Sequence, residues 1–237
     1  MSNRIAFFAV LAVVVILVLW RYYPRTRFEF VPNDVQATIP EGKNIADIDR
    51  ILFKAKIAEN GALLKPEYIA LEGMLFPDTY RFDRGSSAED IIARMRKDYS
   101  QKDALIIASI LEKEVRTEND MKIVAGIIEK RLAAGMALQI DATVAYGVCY
   151  PEFLKGRYCD VSKVNLVDNK KLDSAYNTYT RTGLPVGPIS NPGLKALMAA
   201  QNPQSSEYWY YLSAKDGTTI FSRTLEEHNI ARVKYLK

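Results

Sequence analysis

Ala104-Leu-Ile-Ile-Ala-Ser-Ile-Leu-Glu-Lys-Glu114 is an almost wholly apolar run that ends in two carboxylates flanking a lysine. In a helix, residues i, i+3, i+4 and i+7 share a face. That phase puts Glu114 with Ile107, Ile110 and Leu111, and Glu112 nearly opposite, with Leu105, Ala108 and Ser109. A carboxyl beside apolar side chains loses solvation and its pKa rises. A carboxyl still protonated near neutral pH can act as a general acid. The plainer alternative is a helix-end glutamate that reaches water or pairs with a Lys or Arg.

Working outward, Ser100 and Asp103 are read as caps for this helix. A second helix is expected from Asn119 or Asp120 through Leu132, with Gly135 as its stop. Upstream, residues 28–99 carry a twofold echo. Val35–Ile39 reads as a strand, followed by a helix capped by Asn44 with Asp47. Tyr80–Phe82 repeats the strand, and Ser87 with Glu89 and Asp90 opens the second helix. Units this short bury little alone, so a small α+β module is expected. Leu71–Tyr80, between the copies, reads as loop around Pro77 and Asp78. Downstream, residues 138–148 mix polar and apolar groups, and 149–175 read as irregular. Asn191 with Pro192 looks like the start of a helix through Ala200. Tyr208–Leu212 and Thr218–Phe221 read as a hairpin around Asp216-Gly217, and Thr224 with Glu227 caps a last helix.

The chain has 237 residues, 49% hydrophobic and 25% charged, with a net charge of +4. That is ordinary globular composition. It holds no long basic run and no basic–aromatic ladder, which argues against nucleic acid. Ile5–Trp20 is uninterrupted apolar sequence. As a helix it would extend roughly 24 Å, somewhat less than the ~30 Å hydrocarbon core. Trp20, Tyr22 and Tyr23 suit the membrane interface, and no small-x-small cleavage site follows, so an uncleaved anchor is expected. Arg4 precedes the span, whereas Arg21, Arg25 and Arg27 follow it; charge counting alone would keep the remainder in the cytoplasm. Cys149 and Cys159 either close a loop by a disulfide or remain reduced thiols. With a single histidine, His228, they do not make a metal site, and no cofactor motif is present.

Carboxylate chemistry on a polar, aromatic surface remains. Gln139, Asp141, Thr143 and Tyr146 follow the helical pair; Tyr176-Asn-Thr-Tyr179 precedes the Gly/Pro-rich run Gly183–Gly193. Hydroxyls, amides and tyrosine faces suit sugars. From these residues alone, a turn-rich surface with a core tyrosine or two is the plainer account.

Taken in order, Leu71–Tyr80, Ala108–Glu114, Val124-Ala-Gly126, Arg131-Leu132, Leu138-Gln139, Asp141, Thr143-Val144, Tyr146-Gly147, Tyr176–Tyr179, Gly183-Leu-Pro185, Gly187–Ile189, Asn191-Pro-Gly193 and His228-Asn229 resemble the MltG/YceG-like endolytic murein transglycosylases. The likeness runs over about residues 30–237. Ala142 and Val186 depart from it, standing where that family commonly has Pro, and the Cys149–Cys159 segment has no counterpart in it.

The resemblance implies an α+β protein in three parts. These are an anchor and linker at 1–27, a LysM-like module at 28–99 and a mixed α/β catalytic domain at 100–237. It implies a single-pass protein of the cytoplasmic membrane with its catalytic part outside, against the charge count. The implied partners are peptidoglycan glycan strands and, as candidates, cell-wall synthesis proteins. The implied reaction breaks the β-1,4 bond between N-acetylmuramic acid and N-acetylglucosamine without water and leaves a 1,6-anhydro end. One carboxyl serves as acid and then base, with no cofactor and no metal. Glu114 aligns with that acid, and Glu112 is the second candidate, as its partner. Gln139, Asp141, Tyr146, Tyr176 and Asn177 are expected around the sugar. Two rival expectations are a hydrolase with Asp141 or Glu72 as second carboxyl, and a non-catalytic glycan-binding scaffold.

Overall fold

Strand β1 (Asp34–Thr38) pairs antiparallel with β2 (Thr79–Asp83), Val35 opposite Phe82 and Ala37 opposite Tyr80, in the computed structural model, which describes residues 33–236. Between the strands lie α1 (Ile45–Lys54) and the single turn α2 (Pro66–Ile69), and α3 (Ala88–Met95) follows β2. The caps are those the spacing predicts. Asn44 accepts from the Asp47 amide at 2.9 Å, and Ser87 from the Asp90 amide at 3.1 Å. Each supplies an oxygen to an amide that the helix itself leaves unpaired. Ile39, Ile45, Ile48, Leu52, Phe82, Ile91 and Met95 form the core of this part, each burial contributing about 1.5–3 kcal/mol.

The chain then turns helical. α4 (Lys102–Glu114) packs against α5 (Glu118–Ala133), α6 (Asp141–Phe153) and α8 (Leu194–Gln201). Between α6 and α8 run a 3-10 turn at Val161–Lys163 and the short α7 (Leu166–Asn169). The hairpin β3 (Tyr210–Ser213) and β4 (Thr219–Ser222) and the helix α9 (Leu225–Tyr235) complete the described part. The architecture is mixed α+β, as the sequence implied. The described residues form a single compact unit. The apolar span Ile5–Trp20 lies outside them, and among the described residues no helix is long and apolar enough to cross a membrane.

Several local expectations need correction. α4 starts behind Gln101 with no side-chain cap, so neither Ser100 nor Asp103 plays that part. Every residue from Leu105 to Leu111 is buried, so α4 has no single apolar stripe. α5 begins at Glu118, with Thr117 accepting from the Asp120 amide at 3.1 Å. Residues 141–153, read as mixed and irregular, are α6. Its first turn has no side-chain cap, and Gly147 and Pro151 lie inside it. α8 begins at Leu194, behind Gly193. Asn191 caps nothing. It donates to the Lys43 carbonyl (3.0 Å) and to Glu72 Oε1 (2.7 Å) and accepts from the Leu75 amide (2.8 Å).

That knot joins the two halves of the described chain. Glu72 Oε2 also accepts from the Ile45 amide and the Tyr146 hydroxyl, each at 3.0 Å. Burial pushes the Glu72 carboxyl up to about 7, against the pull of these donors. Cys149 and Cys159 are bridged, with their Cα atoms 5.3 Å apart, which ties α6 to the loop behind it.

Candidate active site

Glu114 is the last residue of α4, and the chain leaves it in extended conformation at Val115. The hairpin holds this corner from outside: the Ser213 hydroxyl donates to the Glu114 carbonyl at 2.5 Å, and the Tyr211 hydroxyl hydrogen-bonds the Glu114 carboxylate. The carboxyl opens onto a cleft of about 400 Å³. Residues of α5 and α9, the start of α6, the 170–179 segment and the hairpin line it. Burial pushes the Glu114 carboxyl up to about 7, and the nearby Asp141 carboxylate adds to the rise. The hydrogen bond from Tyr211 works in the opposite direction, because it favours the ionised form. A carboxyl raised this far keeps a protonated fraction available near neutral pH.

Gln139 and Asp141 reach the same cleft, at the N-terminus of α6. Gln139 sits at φ 55°, the left-handed region that costs a non-glycine residue about 1–3 kcal/mol. Its amide donates to the Thr178 carbonyl at 3.0 Å, and the Ile140 amide donates to Thr178 Oγ1 at 3.0 Å. These two bonds hold the turn. Asp141, in the first turn of α6, meets the positive end of the helix. It also accepts from the Tyr179 hydroxyl at 2.6 Å and faces Lys170 Nζ at 3.6 Å.

The other expected residues stand behind the walls. Tyr146 is buried at 1% exposure, hydrogen-bonded to Glu72 and packed on Tyr150, Phe153 and Tyr176. Tyr176 is buried in the same ring cluster. Asn177 braces the segment that carries Lys170 and Tyr179: its Nδ2 donates to the Lys170 and Leu172 carbonyls and its Oδ1 accepts from the Tyr179 amide. Glu112 faces away from the cleft and accepts from the Gly193 amide at 3.0 Å. Burial raises its pKa as well, with Glu41 adding to the rise. The stiff Gly/Pro loop docks on α4 from this side, Ser190 Oγ donating to the Ser109 carbonyl and Ser109 Oγ accepting from the Ile189 amide. Among the described residues no group of three or more His, Cys, Asp or Glu is placed to hold a metal ion.

The profile of the YceG-like family matches residues 25–234. The chain belongs to the YceG-like family. An endolytic murein transglycosylase of Bacillus subtilis (strain 168) is 37% identical over 183 residues, covering 70% of this chain and 48% of the relative. One of Streptococcus pneumoniae (serotype 2, strain D39) is 26% identical over 202 residues, covering 78% of this chain and 35% of the relative. The chain thus spans about a third to a half of the length of these relatives. A crystal structure of a yceG-like protein from Listeria monocytogenes superposes with a TM-score of 0.68 at 32% identity, covering 83% of this chain and 75% of that one.

In this YceG-like chain the cleft also uses residues that no local pattern singles out as site residues. Tyr211 lies in a strand with three other aromatic residues close by, and nothing in the alternation marks it. Arg131, near the end of α5, is buried at 8% exposure; its Nε donates to the Trp209 carbonyl and its Nη1 to the Leu138 carbonyl. It fastens the hairpin to the turn before Gln139. His228, Asn229 and Arg232 line the cleft from α9.

Proposed function

We propose that this cleft binds a peptidoglycan glycan strand and that Glu114 cleaves it by lytic transglycosylation. The observation that carries the reading is the carboxyl of Glu114, raised to about 7 at the end of a buried helix and open to the cleft. The names of the relatives supply the substrate class. In the protonated state Glu114 donates its hydrogen to the bridging oxygen as the bond to C1 of N-acetylmuramic acid breaks. The leaving sugar departs with a free hydroxyl. The carboxylate left behind then takes the proton from the C6 hydroxyl of the same muramic residue while O6 bonds to C1. The ring closes as a 1,6-anhydro sugar, and Glu114 ends protonated as it began. The hydrogen bond from Tyr211 favours the carboxylate in between. Gln139, Asp141 and Tyr179 would face the developing positive charge and the sugar hydroxyls. Tyr146, Tyr176, Asn177 and Glu112 would act by holding the walls.

In this reading residues 1–27 anchor the chain to the cytoplasmic membrane, and the cleft lies outside it, where peptidoglycan and an oxidising setting for Cys149–Cys159 are found. Residues 28–99 are then a LysM-like module and 100–237 the catalytic domain. Cell-wall synthesis proteins are candidate partners.

A hydrolase is the second reading, because Asp141 shares the cleft with Glu114. Glu72 is a poorer second carboxyl, buried at 4% exposure behind Tyr146. Digestion of purified sacculi with mass spectrometry of the chain ends decides among these. Anhydro ends support transglycosylation, reducing ends mean hydrolysis, and binding without product means a scaffold. Glu114→Gln is expected to keep the fold and to abolish product; retained activity would remove Glu114 from its role.

A further inference from the structure

Three side chains of unambiguous positive charge line the cleft, and they are not equivalent. Lys170 faces Asp141 at 3.6 Å and lies over the Tyr179 ring. Arg131 commits Nε and Nη1 to backbone carbonyls and stacks on Tyr210 at 4.9 Å. The Arg232 guanidinium has no hydrogen bond and no ion pair among the described residues, although it lines the cleft. One turn before it, the His228 ring stacks on Tyr210, with centroids 5.4 Å apart, and its Nδ1 is a buried polar atom with no hydrogen-bond partner among the described residues. His228 and Arg232 are four apart on α9 and share a face. Leu225 and Leu236 continue that face into the cleft at either end.

A guanidinium with no ion-pair partner among the described residues at the mouth of a cleft, one turn from a histidine ring on the same helix face, is suited to an anion. Guanidinium geometry matches a carboxylate through two parallel N–H···O bonds. The anionic residues of the protein that line the cleft, Glu114 and Asp141, already have Tyr211, and Tyr179 with Lys170, as partners. We propose that α9 forms a carboxylate-binding subsite, with Arg232 as its cation and His228 beside it, which takes an acidic substituent of the bound glycan. This rests on the reading of the cleft as a glycan site. The carboxylate can come from the lactyl group of the sugar or from a peptide attached to it; both present the same group to Arg232. Held there, the strand would have its register along the cleft set by its substituent as well as by its ring.

The test uses the full chain carrying Glu114→Gln, so that bound glycan is not turned over, and calorimetric titration with three tetrasaccharides of alternating N-acetylglucosamine and N-acetylmuramic acid. One has free lactyl carboxylates, one has them as methyl amides, and one has them amide-linked to an acidic dipeptide. At least one acidic form is expected to bind roughly tenfold tighter than the neutral amide, the size of a charge-assisted hydrogen bond. Which acidic form gains identifies the source of the carboxylate. Arg232→Gln, on an exposed helix face, is expected to erase the preference, bringing the acidic form down to the affinity of the methyl amide. His228→Phe, which keeps a ring on Tyr210, is expected to reduce the preference without erasing it. Equal binding of all three glycans, or a preference that survives Arg232→Gln, overturns the subsite and leaves the cleft a glycan site. Failure of every glycan to bind the Glu114→Gln chain overturns both.

Discussion

In the proposed reaction, Tyr211 sets how far Glu114 could serve both as acid and as base. Donating to the carboxylate, it keeps the pKa of Glu114 below what burial alone would give. Tyr211→Phe removes that donor, and the Glu114 pKa should rise further. The alkaline limb of the pH–rate profile is expected to move to higher pH, with the rate lower by about tenfold or more from the loss of a hydrogen bond to a charged group. A limb displaced to lower pH would show that Tyr211 does not donate to Glu114. Gln139, at φ 55°, tests a different term. A glycine normally weakens a chain relative to alanine, but here only glycine relieves the backbone. Gln139→Gly is expected to be as stable as Gln139→Ala, or more so by up to about 1 kcal/mol, in denaturant titration. The phase of the Ala104–Leu111 run pointed Glu114 and Glu112 to opposite sides, and the structure has them so. The reason lay elsewhere, because α4 is buried all round. The groups that act on Glu114, Asp141 of α6 and Tyr211 and Ser213 of the hairpin, come from elements that no local window contains.

Among the elements, α5 and α6 show most clearly what a linear reading misses. α5 carries Gly126 where a Cβ would come within 2.1 Å of the Gln204 carbonyl oxygen. The obstacle is backbone, and the segment it belongs to leads into β3. Gly126→Ala is expected to cost about 1–3 kcal/mol in denaturant titration through overpacking, and to lower activity by displacing the Tyr211 strand. The motif Val124-Ala-Gly126 was visible in the sequence, but the reason for its glycine is a contact made 78 residues later. α6 escaped notice for a local reason: it starts without a capping side chain and holds a glycine and a proline. Its end is secured instead by the Cys149–Cys159 bridge. Opening that ten-residue separation by Cys149→Ala with Cys159→Ala is expected to cost about 2–3 kcal/mol in thermal or denaturant unfolding, by loop-closure entropy. Asn191-Pro192 misled in the other direction. It has the composition of a helix start, yet its amide is needed by Lys43, Leu75 and Glu72, more than 100 residues upstream.

Across the whole molecule, the α+β class was legible, as were β1 and β2 as separate strands, the α1, α3 and α9 caps and the hairpin, because these strands, caps and turn depend on neighbours in sequence; the antiparallel pairing of β1 with β2, across more than 40 residues, was not. The cleft was legible only in pieces, because its walls come from five separate segments. Two carboxyls, Glu72 and Glu114, have pKa values raised from 4.5 to about 7. A raised pKa favours the protonated fold, so their contribution to stability is full below pH 4.5 and is lost as pH rises through about 7. The denaturant midpoint is expected to fall between pH 5 and pH 8, and Glu114→Gln is expected to exceed the parent chain in midpoint at pH 8. A midpoint that rises over that interval would show that neither carboxyl behaves so. Glu72→Ala is expected to cost about 3 kcal/mol or more by leaving three buried donors unmatched. Glu114 itself waits on Tyr211 and Ser213, nearly a hundred positions further along. A chain emerging from the ribosome therefore carries the proposed acid long before it carries the hydroxyls that hold its corner. On the proposed reading, the newborn polypeptide holds an unarmed blade until the hairpin arrives, and the order of synthesis itself delays the moment at which it could cut.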